Sequence, residues 1–389
     1  MRRNRLGALG ILTLSAALFT GIAAAPPPAS GAGAALAQSS GGCRADDNGL
    51  TLKTVPDTGD QAHFESIQFL SPKIGRAAGN GFMIGTSDGG CSWQAINNEG
   101  KYDFQDMQFQ TNSTGYVMAK TKAGGPNLLF KTTDGGTTLT QVHTGAYAFD
   151  RVQFLSEDVG YGFSRTLTFK TANGGQTWEK VTTPPNTRYV HFINQNEGWV
   201  VTLVPGTGYE IKRTVNGGKT WANMLSVKSA TVVGGQIYGT EESNVWVVLY
   251  GDSGMSQTSY SLFHTSDAGA HWKQLVSNST AGGGPAPGPE VAGLNGPTGS
   301  PENMQVIGHE AAYLAASSGA YEKVSIGRSL DNGKTFKTIT GIPGYAGKLS
   351  FTSAKDGFIA ITSLSYSAIY GTTDSGTTWT KKFSLPTVN

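Results

Sequence analysis

The sequence predicts an all-β protein, a seven-bladed β-propeller of four-stranded antiparallel blades, and three observations carry that reading. An eight-residue pattern returns seven times, its spacing is the length of one blade, and a second pattern precedes every copy. Composition agrees. With 54 glycines, only 14% charged residues and abundant Thr, Ser, Tyr and Val, the chain favours short strands joined by tight turns over helices.

Taken in chain order, the first element is an export signal. Arg2, Arg3 and Arg5 precede an apolar stretch from Leu6 to Ala25, and cleavage-type triplets follow at 23–25 (AAA) and 35–37 (ALA). Residues 1–37 therefore read as a secretory signal peptide with an Ala/Pro-rich segment, 38–47 as a flexible tether and 48–389 as a single propeller. A secreted or cell-envelope location is expected. Cys43 lies far from the apolar stretch, which argues against a lipid anchor. Without the three early arginines, 26 basic residues (29 minus 3) face 27 acidic ones, and no basic-aromatic stripe suggests nucleic acid. No later apolar run is long enough to cross a bilayer, so no transmembrane anchor is expected after signal cleavage. A monomer without cofactor or metal is expected.

The repeated octets are TSDGGCSW (86–93), TTDGGTTL (132–139), TANGGQTW (171–178), TVNGGKTW (214–221), TSDAGAHW (265–272), SLDNGKTF (329–336) and TTDSGTTW (372–379). Their third positions are Asp88, Asp134, Asn173, Asn216, Asp267, Asp331 and Asp374, separated by 46, 39, 43, 51, 64 and 43 residues. A hairpin there needs a residue able to take positive φ, which Gly90, Gly136, Gly175, Gly218, Gly269, Gly333 and Gly376 supply. The acid or amide oxygen accepts N–H groups that the turn leaves unpaired. Asn173 and Asn216 keep the acceptor but lose the basicity, so the role expected of this position is structural and not catalytic. Upstream of the octets stand SIQFLSPKIG, DMQFQTNSTGYV, RVQFLSEDVGYG, VHFINQNEGWV, QIYGTEESNVWV, MQVIGHEAAYL and LSFTSAKDGFI, each a strand, a turn and a second strand. Seven such units around an axis leave only short, protected sheet edges.

The octets match the Asp-box pattern: Ser or Thr, any residue, Asp, any residue, Gly, any residue, Thr, Trp. With the upstream half-repeats, the chain resembles the seven-bladed family of photosystem II assembly and stability factors and their exported bacterial relatives, over residues 48–389. The resemblance implies the propeller fold and a scaffold that binds a protein or polymer on the face opposite the boxes. It does not fix the function, because Asp-box propellers also include sialidases, xyloglucanases and sorting receptors.

Two cysteines, Cys43 and Cys91, are the only ones present, and in an oxidising compartment a disulfide stapling the tail to blade one is expected. Two unpaired thiols are the alternative. A metal site lacks ligand spacing nearby. Leu50 to Val55 (LTLKTV) resembles the strand that follows each octet and is a candidate to pair with the last blade; whether it replaces or adds to the C-terminal strand is left open.

On the face away from the octets, Tyr102, Phe104, Tyr147, Phe149, Tyr189 and Tyr345 sit on inter-blade loops or strand starts, either as docking platforms or as caps on the core. Lys101, Lys120, Lys122, Arg151, Arg165 and Arg188 fall on the same segments and could hold an acidic partner segment, while Asp103, Asp106 and Asp150 among them allow a plain solvated surface. From that cluster, replacing Arg151 and Arg188 by Ala is expected to weaken partner capture without disturbing the melting profile. The Gly/Pro-rich stretch 276–303 accounts for the 64-residue step and reads as disordered excursion or functional cover, with disorder the expectation.

The alternative function is an Asp-box glycoside hydrolase. A sialidase-like site would need three arginines around the ring, but Arg151, Arg165 and Arg188 come from blades three and four only. A xyloglucanase-like site would need two facing carboxylates, and nothing in the sequence pairs Asp60, Asp252, Glu290 or Glu322. GDSG (251–254) reads as a turn, the six histidines are scattered, and NST at 112 and 278 accepts glycans only in a host with that chemistry.

Overall fold

Among the described residues, 28 strands pair into seven antiparallel four-stranded sheets, at 64–97, 103–141, 151–181, 187–228, 234–278, 300–343 and 346–384. This is a seven-bladed β-propeller, seen in a computed structural model that describes residues 43, 45–56, 61–121, 123–145, 147–254, 256–364 and 366–386. The expected signal peptide lies outside the described residues, as does part of the tether. Within every sheet the strands follow chain order. The first strands of neighbouring blades touch around the axis, so the first strand is innermost.

Seven buried apolar clusters fill the seven gaps between blades. The upstream half-repeat explains their shape. The Phe that ends the first strand lies across a glycine on the second strand in Phe69–Gly75, Phe109–Gly115, Phe154–Gly160, Phe192–Gly198 and Phe351–Gly357. A Cβ at Gly198 would come within 2.6 Å of the Phe192 ring, so no larger residue fits. The other face of the ring stacks on an aromatic of the preceding blade: Phe69 on Phe358 (3.4 Å), Phe154 on Tyr116 (3.4 Å), Phe192 on Tyr161 (3.9 Å) and Phe351 on Tyr313 (3.6 Å). At Phe109 the guanidinium of Arg76 takes that place, 4.0 Å from the ring centre.

Next to these rings, polar side chains tie first strands of neighbouring blades together. Gln68 holds the N–H (2.7 Å) and C=O (3.0 Å) of Phe109; Gln108 holds Phe154 N–H and Val152 C=O; Gln153 holds both groups of Phe192. His191 meets Gly239 C=O (2.8 Å), Asn303 holds both groups of Leu349, and Ser350 accepts from Phe69 N–H (2.8 Å). Six of the seven gaps are thus bridged where an inner strand would otherwise leave backbone groups unpaired.

The octets brace the same gaps from one end. In each, the Thr or Ser hydroxyl accepts from the second Gly N–H at 2.8–3.0 Å, and the Asp or Asn oxygen accepts from the N–H four residues on. Two consecutive residues take positive φ. The first is Gly, Ala268 (59°), Asn332 (53°) or Ser375 (62°), and the second is Gly in all seven copies. The second glycine also abuts the preceding blade, as Gly175 does Val142 and Gly218 does Val181. Backbone and neighbour both disfavour a Cβ there, most severely at Gly175 and Gly333, where it would meet Val142 at 2.6 Å and His264 at 2.0 Å, whereas the first position accepts Ala268, Asn332 and Ser375.

Two expectations are corrected. Residues 279–299 are not a disordered excursion but a strap around blade five. Ser259 donates to Gly284 C=O (2.6 Å), Ser261 to Pro287 C=O (2.5 Å) and Tyr260 to Pro297 C=O (2.7 Å), while Gly288 N–H reaches Lys228 of blade four. Its flanks are strands, Lys273–Asn278 and Ser300–Ile307. Nor does Leu50 to Val55 join the last sheet, whose outer strand is Thr380–Ser384. That segment runs along blade one, where Lys53 N–H meets Asn98 Oδ1 (2.8 Å) and Asn98 donates to Thr51 C=O (2.7 Å). A Cys43–Cys91 disulfide fixes its start, with Cα atoms 4.5 Å apart.

Candidate ligand-binding cleft between blades three and four

The second-to-third strand turns and the blade-to-blade connections emerge opposite the octets, because strand direction alternates within each sheet. Between blades three and four they enclose a cavity of 200 Å³ lined by Asp150, Arg151, Arg165, Arg188 and Tyr189 together with Thr166, Leu167, Thr168, Thr183 and Thr187. It continues into a second cavity of 370 Å³, with Lys180 and Pro184–Pro185 toward the outer edge, and the two share Thr166, Leu167, Thr183, Thr187 and Arg188. Three arginines and one aspartate thus line the first cavity.

The three arginines are held differently. Arg151 starts the innermost strand of blade three, and its guanidinium is sandwiched between the rings of Phe163 (4.0 Å) and Tyr189 (4.2 Å) while donating to Val190 C=O. Stacking on two rings and a backbone bond fix its plane, which is the preparation a bidentate anion contact needs. Arg165, on the blade-three turn, and Arg188, at the start of blade four, are exposed; Arg188 donates to Thr187 C=O at 3.3 Å. Arg151 is thus structural as well as exposed to the cleft, so its replacement by Ala would disturb packing, contrary to the expectation of an unchanged melting profile. Arg188 is exposed, as that expectation requires, and Arg165, which it did not include, is exposed as well.

Deeper on the axis, burial holds the Asp106 carboxyl above the usual range, partly offset by Met107 N–H, Gln108 and the fields of Arg151 and Lys348. Burial also pushes His191 down to about 4 against the opposing bond to Gly239. Lys348 pairs with Glu302 at 2.9 Å.

The other sequence-predicted residues do not join this cleft. Tyr102, Phe104 and Phe149 are 9%, 0% and 2% exposed and sit in the core, so the platform reading does not apply to them. Tyr147 is exposed but leans on Phe169 (4.2 Å), and Tyr345, at blade seven, donates to Glu322. Lys101 sits over the Tyr102 ring (4.9 Å). Lys120 stands opposite Asp103, which neighbours Glu65 and His63, so the basic sector is narrower than the sequence cluster. Lys122 lies outside the described residues.

The carboxylates considered for hydrolysis are dispersed. Asp252 lies at the end of a blade-five strand, Glu290 on the strap and Glu322 on a blade-six turn, while Asp60 is outside the described residues. Among the described residues no His, Cys, Asp and Glu group could hold a metal ion. The octet carboxylates are spent on their own turns: Thr378 holds Asp374 down to about 2 by side-chain and backbone bonds, and His271 does the same for Asp267. Sequence reasoning missed the threonine lining of the cleft and the Gln clamps; the triplets IQF, MQF and VQF were the available signal for the latter.

Known protein folds place this architecture among several propellers. The structure of YCF48 bound to a D1 peptide matches at a TM-score of 0.53 and 16% identity, over 82% of this chain and 93% of that one. YCF48 from Cyanidioschyzon merolae matches at 0.52 and 16%, over 83% and 96%. A GH74 xyloglucanase from Xanthomonas campestris matches at 0.56 and 12%, over 84% of this chain but 54% of that one. No protein-family model and no curated protein matches. The likeness is one of fold. Among the described residues no helix is long and apolar enough to cross a membrane.

Proposed function

We propose that this chain is an exported, non-catalytic Asp-box propeller that captures a protein partner by an acidic segment, seated in the cleft between blades three and four. The observation that carries the reading is the convergence of Arg151, Arg165 and Arg188 on one cavity with Asp150 as its lone acid. A carboxylate entering there gains charge-assisted bonds from donors already held in place. The extension past Lys180 and the prolines suits an extended chain over a compact solute. The fold likeness to a propeller seen with a bound peptide supports the same reading. A Cys43–Cys91 disulfide suits an oxidising, extracytoplasmic compartment.

The test is fluorescence anisotropy with a labelled Asp/Glu-rich peptide. Arg165→Glu with Arg188→Glu is expected to weaken binding at least ~tenfold, and raised salt should weaken the wild type. Equal affinity of wild type and double variant sinks the proposal. The second reading, a glycoside hydrolase, draws on the likeness to the xyloglucanase fold. Turnover of a glycan in a broad fluorogenic screen would favour it; the dispersal of Asp252, Glu290 and Glu322 over separate loops argues against it.

A further inference from the structure

The gap between the last and first blades differs from the other six, because the chain has no covalent connection across it. In this ring no strand is exchanged there either: the first sheet is built from 64–97 and the last from 346–384. The joint has its apolar cluster, with Phe69, Trp93, Phe358, Phe383 and Leu385, and Ser350 of blade seven accepts from Phe69 N–H. What lies across it from outside are residues 43 and 45–54.

That segment touches both blades. Ala45 and Asp46 carbonyls accept from the hydroxyl and N–H of Ser384 on the outer strand of blade seven, both at 3.3 Å. Asn48 Oδ1 accepts from Trp93 N–H of blade one at 2.7 Å, and Leu50 and Leu52 pack on the shared cluster. Cys43 is bonded to Cys91 inside the blade-one octet. Cys43 is exposed and Cys91 half-buried, so a small thiol can reach the bond.

We propose that residues 43 and 45–54 are a clasp over the joint between blades seven and one, and that the Cys43–Cys91 bond is its lock, making the strength of this one gap depend on redox state. A dithiol reductant attacks one sulfur as thiolate, forming a mixed disulfide and releasing the other cysteine as thiol. The second thiol of the reductant, as thiolate, then attacks the reductant's own sulfur in the mixed disulfide, breaking the bond to the protein, so that Cys43 and Cys91 are both left as thiols and the reductant as a cyclic disulfide. Two electrons and two protons have passed to the protein. Without the covalent tie, the clasp depends on a few hydrogen bonds and two leucines, and it detaches from Ser384 far more often.

Hydrogen exchange followed by mass spectrometry tests this on the full exported chain, oxidised and in dithiothreitol, beside Cys43→Ser/Cys91→Ser. The expected result is exchange at least ~tenfold faster at 45–54 and 380–384 in the reduced protein and the double variant, with 187–278 unchanged. Unchanged exchange at 380–384 would mean that the bond only pins a tail. Acceleration spread evenly over all blades would mean a staple for the whole fold; either outcome overturns the proposal. If the double variant does not fold, the reduced wild type gives the same discrimination.

Discussion

The two faces of the ring are built by opposite rules. On one, seven octets repeat the same hairpin, each closed by bonds within eight residues and each lodged against the blade before it. On the other, turns and connections differ in every blade, and side chains such as Arg165, Arg188, Tyr321 and Leu364 stand exposed. Repetition marks the face whose work is mechanical, and irregularity marks the face free to acquire a ligand. The expected consequence is separable: changes beneath the octets and inner rings alter stability, and changes in the cleft alter binding.

The largest expected effect tests the mechanical side. Phe192→Ala empties the space between Gly198 and Tyr161 and should cost about 3–5 kcal/mol in chemical denaturation, with the cleft's affinity retained in the folded fraction. Acid comes next. His191 and His264 are both pushed by burial to about 4, below the ordinary 6.5. The unfolded chain therefore binds their protons first, so stability is full above pH 6.5 and falls as pH drops toward 4, on the order of 2–3 kcal/mol per histidine. A urea midpoint measured from pH 7.5 to 4.5 should show this, and His191→Gln, which copies the clamp used by Gln68, Gln108 and Gln153, should flatten the slope. A flat wild-type profile would contradict it.

Within the octet the hydroxyl and the carboxylate should separate. Thr265→Val leaves the buried Gly269 N–H without its acceptor and should cost about 1–3 kcal/mol. Asp134→Asn keeps the acceptor, as Asn173 and Asn216 do natively, and should move stability by less than about 1 kcal/mol. At the far end, Arg165→Ala with Arg188→Ala should leave the melting temperature within about 1 °C, because both side chains are exposed, while weakening capture of an acidic peptide. A variant on either face that moved both stability and binding equally would break the comparison.

How far the sequence could be read follows from the range of the interactions. The octets were legible because Thr86, Asp88, Gly90 and Ser92 bond to one another over seven residues, and the Phe and Gly of the upstream pattern because they face each other across one turn. The strap was not, since its order comes from Ser259, Tyr260 and Ser261 and from Lys228 of another blade, partners that Gly/Pro composition does not reveal. For the cleft, spacing assigned Arg151, Arg165 and Arg188 to blades three and four. It could not show that Phe163 and Tyr189 clamp the first of them, or that Lys120 stands by an acid.

Because every sheet is one uninterrupted stretch of chain, the starting point of the polypeptide is a matter of history and not of geometry. Joining the ends near residues 62 and 386 and opening the chain between blades four and five, at 229–233, would move the break to a different gap while leaving all seven sheets intact. Such a permuted ring carries its weak point elsewhere, and a lineage that grew by copying whole blades could add or lose one without rewiring any sheet.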